Sequence, residues 1–112
     1  MTERQKTILK KTLSSDKLRE EQRFLHAFIG ISRFRILLAL SKAGEGLTVR
    51  DLADITRGTS SSVSHQLAVL RRHGVVQRKV GGGRITYEFN ADAFEAFCGR
   101  IQGHFSGIGV SF

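Results

Sequence analysis

The sequence contains no proline and no tryptophan, and a single cysteine among 112 residues. Without proline, its segments must be punctuated by glycine, of which there are twelve. With Cys98 as the lone thiol, no disulfide can form within one chain, and a cysteine-only metal site cannot be built by one chain. Cys98 then reads first as a small buried apolar residue. No uninterrupted apolar run is long enough to cross a bilayer, so no membrane partner is expected. The first residues, "MTERQKTILKKTLSSDK", are charged and lack the hydrophobic core of a secretory leader. A cytoplasmic protein is the expectation. Acids are also missing where they would matter most. From Arg57 to Tyr87 there are six Lys or Arg residues and no Asp or Glu, within a chain of net charge +8. A segment of one sign favours a polyanion, nucleic acid first.

Residues 1–13 form a basic arm, flexible or partly helical. Ser14 or Ser15 offers an N-cap ahead of Asp16. Leu18, Leu25, Phe28 and Ile29 then mark an amphipathic helix that Gly30 breaks. Ser32 is placed to cap a second helix, "RFRILLALSKAG", in which Phe34, Leu37, Leu38 and Ala39 are apolar and which Gly44 stops. Thr48 with Asp51 resembles a capping box, and Val49, Leu52, Ala53 and Ile55 supply a short buried stripe. Arg57-Gly58 is a turn. Thr59 caps a further helix with Val63, Leu67 and Leu70 on its buried face and Ala68 filling in, until Gly74.

The period then changes from 3.6 to 2. Val76, Arg78 and Val80 alternate with Gln77 and Lys79, and Ile85, Tyr87 and Phe89 alternate with Thr86 and Glu88, across Gly81-Gly82-Gly83. This is a β-hairpin with a mobile glycine tip. A last helix, from Ala91 to about Phe105, carries Phe94, Phe97, Cys98, Ile101 and Phe105. The fold class is mostly α with a small β-hairpin, in the order α-α-α-α-β-β-α. Residues 48–73 form a helix-turn-helix and residues 75–89 its wing. The domain runs over residues 14–106, with residues 107–112 as a flexible tail.

The helix opened by Thr59 suits DNA reading. A recognition helix enters the major groove with its N-terminal end leading. Thr59, Ser60, Ser61, Ser62 and Ser64 supply short hydroxyls there, and first-turn amides attract phosphate. His65 can donate to a base or a phosphate. Gln66, if it points outward, can bind adenine through two hydrogen bonds, and Arg71 follows on the same helix. Thr48, Arg57, Arg78, Lys79 and Arg84 are the candidates for backbone and wing contacts, with Arg84 beside the glycines best placed to reach a minor groove. "GGGR" is not a nucleotide loop, since it joins two strands and lacks GxxxxGK[ST]. No catalytic set is evident: the histidines are scattered, and Ser64 and His65 point about 100° apart on a helix. The chain is expected not to be an enzyme and to need no cofactor.

These residues resemble a family. "LADITRGTSSSVSHQLAVLRRHGVVQRKVGGGRITYEF", Leu52 to Phe89, looks like the DNA-binding core of the ArsR/SmtB bacterial transcriptional repressors. "SxxVSHQLxxLxxxGVV" and the "GGGRITYEF" wing are its specific parts, and Ser32–Leu40 resembles the family's second helix. The resemblance covers about Ser32 to Phe105. It implies a homodimer joined through the first and last helices, recognition helices that read a palindromic operator in double-stranded DNA, and release by an inducer. Leu25, Phe28, Phe94, Phe97, Cys98, Ile101 and Phe105 would form the dimer interface.

The inducer motifs are missing. "LTVRDLA" stands where classical metal sensors carry Cys-Val-Cys, and Asp92 and His104 lack partners at the spacing of the other classical site. Persulfide-type sensors need two cysteines. Cys98 and His104 lie about 240° apart around a helix and cannot share an ion within a chain. No metal site is expected there; a site shared across a dimer would draw on His26, Cys98 or His104. The effector is unknown. Two other readings stay open: a sequence-independent nucleic-acid binder, and a protein-interaction module on a winged-helix scaffold.

Overall fold

The structure, a computed structural model, describes residues 1–26 and 30–105. Phe28 and Ile29, placed by periodicity at the end of the first amphipathic helix, and the 107–112 tail lie outside the described residues.

The arm is a helix. α1 spans Glu3–Leu13 behind a capping box in which Thr2 accepts from the Gln5 amide and the Gln5 side chain accepts from the Thr2 amide. It buries no residue, so its helicity rests on caps and on good helix formers rather than on packing. Among the described residues there are therefore five helices before the hairpin, one more than the four expected from apolar periodicity.

α2 (Asp16–His26) is capped by the Ser15 hydroxyl, which accepts from the Leu18 amide. α3 spans Ile31–Ala43. Its N-cap is Gly30, with no side-chain hydrogen bond, so Ser32 is not the cap: the helix starts two residues earlier and takes Ser32 into its first turn. Ile36, Leu37 and Leu40 are buried, whereas Phe34 and Leu38 are exposed. The apolar character of this helix runs around its axis, and only one face meets the core.

α4 (Val49–Thr56) begins with the expected capping box, Thr48 accepting from the Asp51 amide and Asp51 accepting from the Thr48 amide, both at 3.1 Å. Leu52 is fully buried, but Ile55 is 54% exposed and does not belong to the buried stripe. The helix ends with the Gly58 amide bonded to the Ala53 carbonyl and the Arg57 amide to that of Asp54. This Schellman closure normally places glycine in the left-handed position. Here Arg57 occupies it, at φ 57°, and Gly58 follows.

α5 (Ser60–Arg72) buries Val63, Leu67, Val69 and Leu70. Ala68 is exposed and does not fill the core. Gly74 closes the helix at φ +76°.

β1 (Val76–Gly81) pairs antiparallel with β2 (Arg84–Phe89), from Val76 opposite Phe89 to Gly81 opposite Arg84. Gly81 belongs to the strand. The turn is only Gly82-Gly83, both at positive φ, the pairing that suits strand twist. Leu47 adds a short third rung, exchanging two backbone hydrogen bonds with Tyr87 at 3.0 and 2.8 Å. The main core joins Ile36, Leu37 and Leu40 of α3 to Leu47, Leu52, Val63, Leu67, Leu70, Val75 and Val76, with Tyr87 and Phe89 packed against it.

α6 (Ala91–His104) is capped by Asn90, whose side-chain carbonyl accepts from the Ala93 amide. Asn90 also gives its backbone amide to the Val75 carbonyl at 2.8 Å and its side-chain amide to the Gly74 carbonyl at 3.0 Å. α6 packs on α2. There Glu21, 1% exposed, meets the Arg100 guanidinium at 3.4 Å and the His104 ring. A carboxylate this deep requires such partners.

Candidate nucleic-acid interface

α4, the turn at Arg57–Gly58 and α5 form the helix-turn-helix, and the β1–β2 ribbon follows immediately as its wing. Thr59 caps α5 as the sequence predicts: its hydroxyl accepts from the Ser62 amide at 3.1 Å. With Val63, Leu67 and Leu70 facing inward, Ser60, Ser61, Ser62, Ser64 and His65 are all exposed at the leading end. Arg71 is exposed too, on the stripe of Ser60 and Ser64 but about 16 Å from Ser60 along the axis. The structure therefore gathers the hydroxyls and His65 in one patch and sets Arg71 at the far end of the helix. Arg72 is exposed beside it.

Gln66 departs from its sequence reading. It is half-buried, and its Oε1 accepts from Arg33 Nη1 of α3 at 2.9 Å. A bidentate contact with adenine needs both halves of the amide, and one half is already engaged. The structure thus ties Gln66 to α3. The partnership joins residues 33 apart in sequence and leaves no local trace.

The wing residues divide by face. The strand register puts Arg78 with Val76 and Val80, opposite Tyr87, while Lys79 and Arg84 share the other face with Thr86 and Glu88. Lys79 Nζ lies 2.8 Å from Glu88 Oε2. Alternation identified Lys79 as a wing cation but did not show that an acid neutralises it from the neighbouring strand. Arg78 and Arg84 are exposed. Arg84 lies within electrostatic reach of Asp51: the Asp51 carboxyl is held below its ordinary 3.8 by the hydrogen bond from the Thr48 amide, then by the Thr48 hydroxyl, with Arg84 and Arg50 adding to the effect. Thr48 accepts through its hydroxyl oxygen from the Asp51 amide, and its hydroxyl also favours the Asp51 carboxylate, so both roles of the side chain are engaged in the cap.

At the other end of α5, half-buried His73 is held below its ordinary 6.5, first by burial and then by the positive charge of Arg72, His26, Arg33 and Arg23. Of the residues assigned to a dimer interface, Leu25, Phe94 and Phe105 are exposed. Phe97 is buried within the chain, whereas Cys98 and Ile101 are half-buried. Phe94 stacks obliquely on Phe89, ring centres 5.5 Å apart. Of the three weak metal candidates, His104 is engaged by Glu21. Among the described residues no three His, Cys, Asp or Glu side chains come together as a metal site would require. Glu21 itself was not singled out from sequence, since it sits in a run of charged residues that looks solvated.

Comparison with known proteins agrees with this architecture. Residues 32–78 match the model of the family described as bacterial regulatory protein, arsR family. A comparison with curated proteins gives no match. Among solved structures, NolR from Sinorhizobium fredii superposes with a TM-score of 0.65 at 24% identity, over 80% of this chain and 88% of its own. HlyU from Vibrio cholerae N16961 gives 0.65 at 22% identity, over 81% and 97%. The transcriptional repressor PagR of Bacillus anthracis gives 0.62 at 24% identity, over 73% and 93%. At these identities the structures establish the fold alone, and the family match covers the 32–78 segment, from α3 into the wing. Residues 32–78 thus carry a segment similar to the arsR family of bacterial regulatory proteins, and the chain is built as a winged helix-turn-helix.

Proposed function

We propose that this chain is a DNA-binding regulator, a homodimeric repressor that reads a palindromic operator and is released by a signal still to be identified. The observation that carries the reading is the exposed polar and basic stretch of chain from the leading end of α5 to the wing. It presents five hydroxyls, His65, Arg78 and Arg84, from a segment whose own residues include no acid between Arg57 and Tyr87. Arg57 flanks it and serves the DNA backbone. PagR, one of the structures that shares the fold, is itself a transcriptional repressor.

Dimerisation is supported by the exposed apolar side chains Leu25 on α2 and Phe94 and Phe105 at the two ends of α6. A two-fold dimer would set its recognition helices about 34–36 Å apart, one turn of DNA. The unit that dimerises and binds is residues 14–106, with the arm and the tail outside it.

The test is selection from a random duplex pool, with sedimentation analysis of the protein and of the complex. The expected outcome is an enriched inverted repeat bound by two chains. Enrichment of nothing above random duplex, or binding by one chain, overturns the reading.

The engagement of Gln66 by Arg33 favours a second reading, sequence-independent binding, because it leaves mainly hydroxyls and His65 to discriminate bases. Under operator reading, His65→Ala alters the selected sequence. Under the second reading, it changes affinity alike for all duplexes.

A further inference from the structure

A cavity of about 180 Å³ lies between the first two turns of α3, the α4–α5 turn and the first two turns of α5. Its polar lining is Ser32 and Arg35 from α3, Thr56 and Arg57 from the turn, and Ser62 and Gln66 from α5. Ile31, Ile36 and Val63 supply the apolar part of the wall, and no carboxylate lines it. The volume corresponds to roughly six waters at about 30 Å³ each. That accommodates an ion of phosphate size with part of its hydration, or a short organic acid against the apolar wall.

The chemistry of the lining is one-sided. Two guanidiniums supply positive charge and paired donors of the kind that match oxyanions. The two serines can each donate one hydroxyl hydrogen, whereas Thr56 already gives its own to the Leu52 carbonyl at 2.7 Å. The carbonyl of Gln66 is taken by Arg33, so the part of its amide left to donate is the NH₂ group. α3 also begins at Gly30 without a side-chain cap. A solvated basic surface would scatter such groups. Here three elements bring them around one cavity that also touches the joint of the helix-turn-helix.

We propose that this cavity is an oxyanion site, taking a phosphate or carboxylate group, and that its occupant bears on the set of α5 against α4. Arg57 and Gly58 are the joint between those helices, and Ser62 and Gln66 lie on the helix that leads into DNA. An anion drawing Arg35 and Arg57 together would fix that angle. The oxyanion could come from the DNA backbone or from a free small molecule. Binding of a free ion is measured without DNA, so the site stands or falls independently of the operator reading above.

The experiment is a backbone-amide NMR titration of the full chain with inorganic phosphate, at constant pH and ionic strength with chloride as the balancing ion. The expected result is a saturable response centred on Ser32, Gly58 and Ser62. It should persist in the wing variant Arg78→Gln/Lys79→Gln. In Arg35→Gln/Arg57→Gln it should weaken about tenfold or more, as loss of a charge-assisted hydrogen bond does. Arg35 is exposed on an established helix, so Arg35→Gln alone provides the same test if the double variant folds poorly. Shifts that stay linear with phosphate, or that the wing variant abolishes equally, overturn the proposal.

The source of the anion is then read from duplex binding against salt. A slope reduced by about one in Arg35→Gln, a residue outside the proposed DNA contacts, assigns the site to DNA phosphates. An unchanged slope, with duplex affinity that responds to phosphate only in the native chain, assigns it to a free oxyanion.

Discussion

The root of the wing is packed too closely to accept a single added methyl group. A Cβ on Gly46 would lie 2.9 Å from the Thr86 hydroxyl oxygen, 3.0 Å from the Thr86 Cβ and 3.4 Å from the Glu88 Cγ. The Thr86 Cβ is fixed by its own backbone, so it moves only if strand β2 moves with it. That strand is held at the next residue by the paired hydrogen bonds between Tyr87 and Leu47. Gly46→Ala must therefore displace the root of the wing or break that rung. Overpacking of this kind costs about 1–3 kcal/mol. In a domain of this size that lowers the melting temperature by about 4–8 °C for each kcal/mol. Urea unfolding followed by circular dichroism measures the loss, and duplex binding at fixed salt measures what the shifted wing does to DNA contact. Thr86→Ala in the Gly46→Ala background removes the hydroxyl clash but keeps the Cβ contact, so it should recover part of the stability. A Gly46→Ala chain within about 0.5 kcal/mol of the native one, the range of neutral surface changes, would refute the argument that this contact sets the wing.

Other perturbations test other parts. Thr59→Ala removes the acceptor for the Ser62 amide and should cost about 1 kcal/mol in unfolding experiments, whereas Thr59→Ser should retain most of it. Arg84→Gln should lower the salt slope of duplex binding by about 1; Lys79→Gln should lower it less, since Glu88 already opposes that charge. His73 sits below its ordinary 6.5 in the folded chain, so the unfolded chain takes up the proton first. Stability should then fall as pH drops from about 6.5 towards the lower folded value. His73→Gln should flatten that part of a urea-midpoint profile taken against pH.

What was legible in the sequence was what is local. Thr48 with Asp51, Thr59 ahead of Val63, Leu67 and Leu70, and the switch to alternation after Gly74 each express themselves within a few residues, and each is found in the structure. α1 was legible only as an arm, flexible or partly helical, because periodicity registers a buried face and this helix has none. Its signature was the Thr2–Gln5 capping box. Ser32 looked like a cap because serine commonly is one, yet the backbone turns at Gly30. Ile55 and Leu38 lie outside the core because apolar side chains on a short helix outnumber the positions that face inward. Gln66 with Arg33 and Glu21 with His104 are pairings across the fold, which no spacing rule reaches.

Asn90 has a bearing on how a distant event could reach the DNA-reading surface. Its three hydrogen bonds hold the carbonyls that follow α5 and open α6 in the same stroke. A tilt of α6 about its first turn must stretch the bonds to Gly74 and Val75 or carry the end of α5 and the start of β1 along with it. Whatever packs on α6, a second chain included, therefore pulls on a pin set between the recognition helix and its wing.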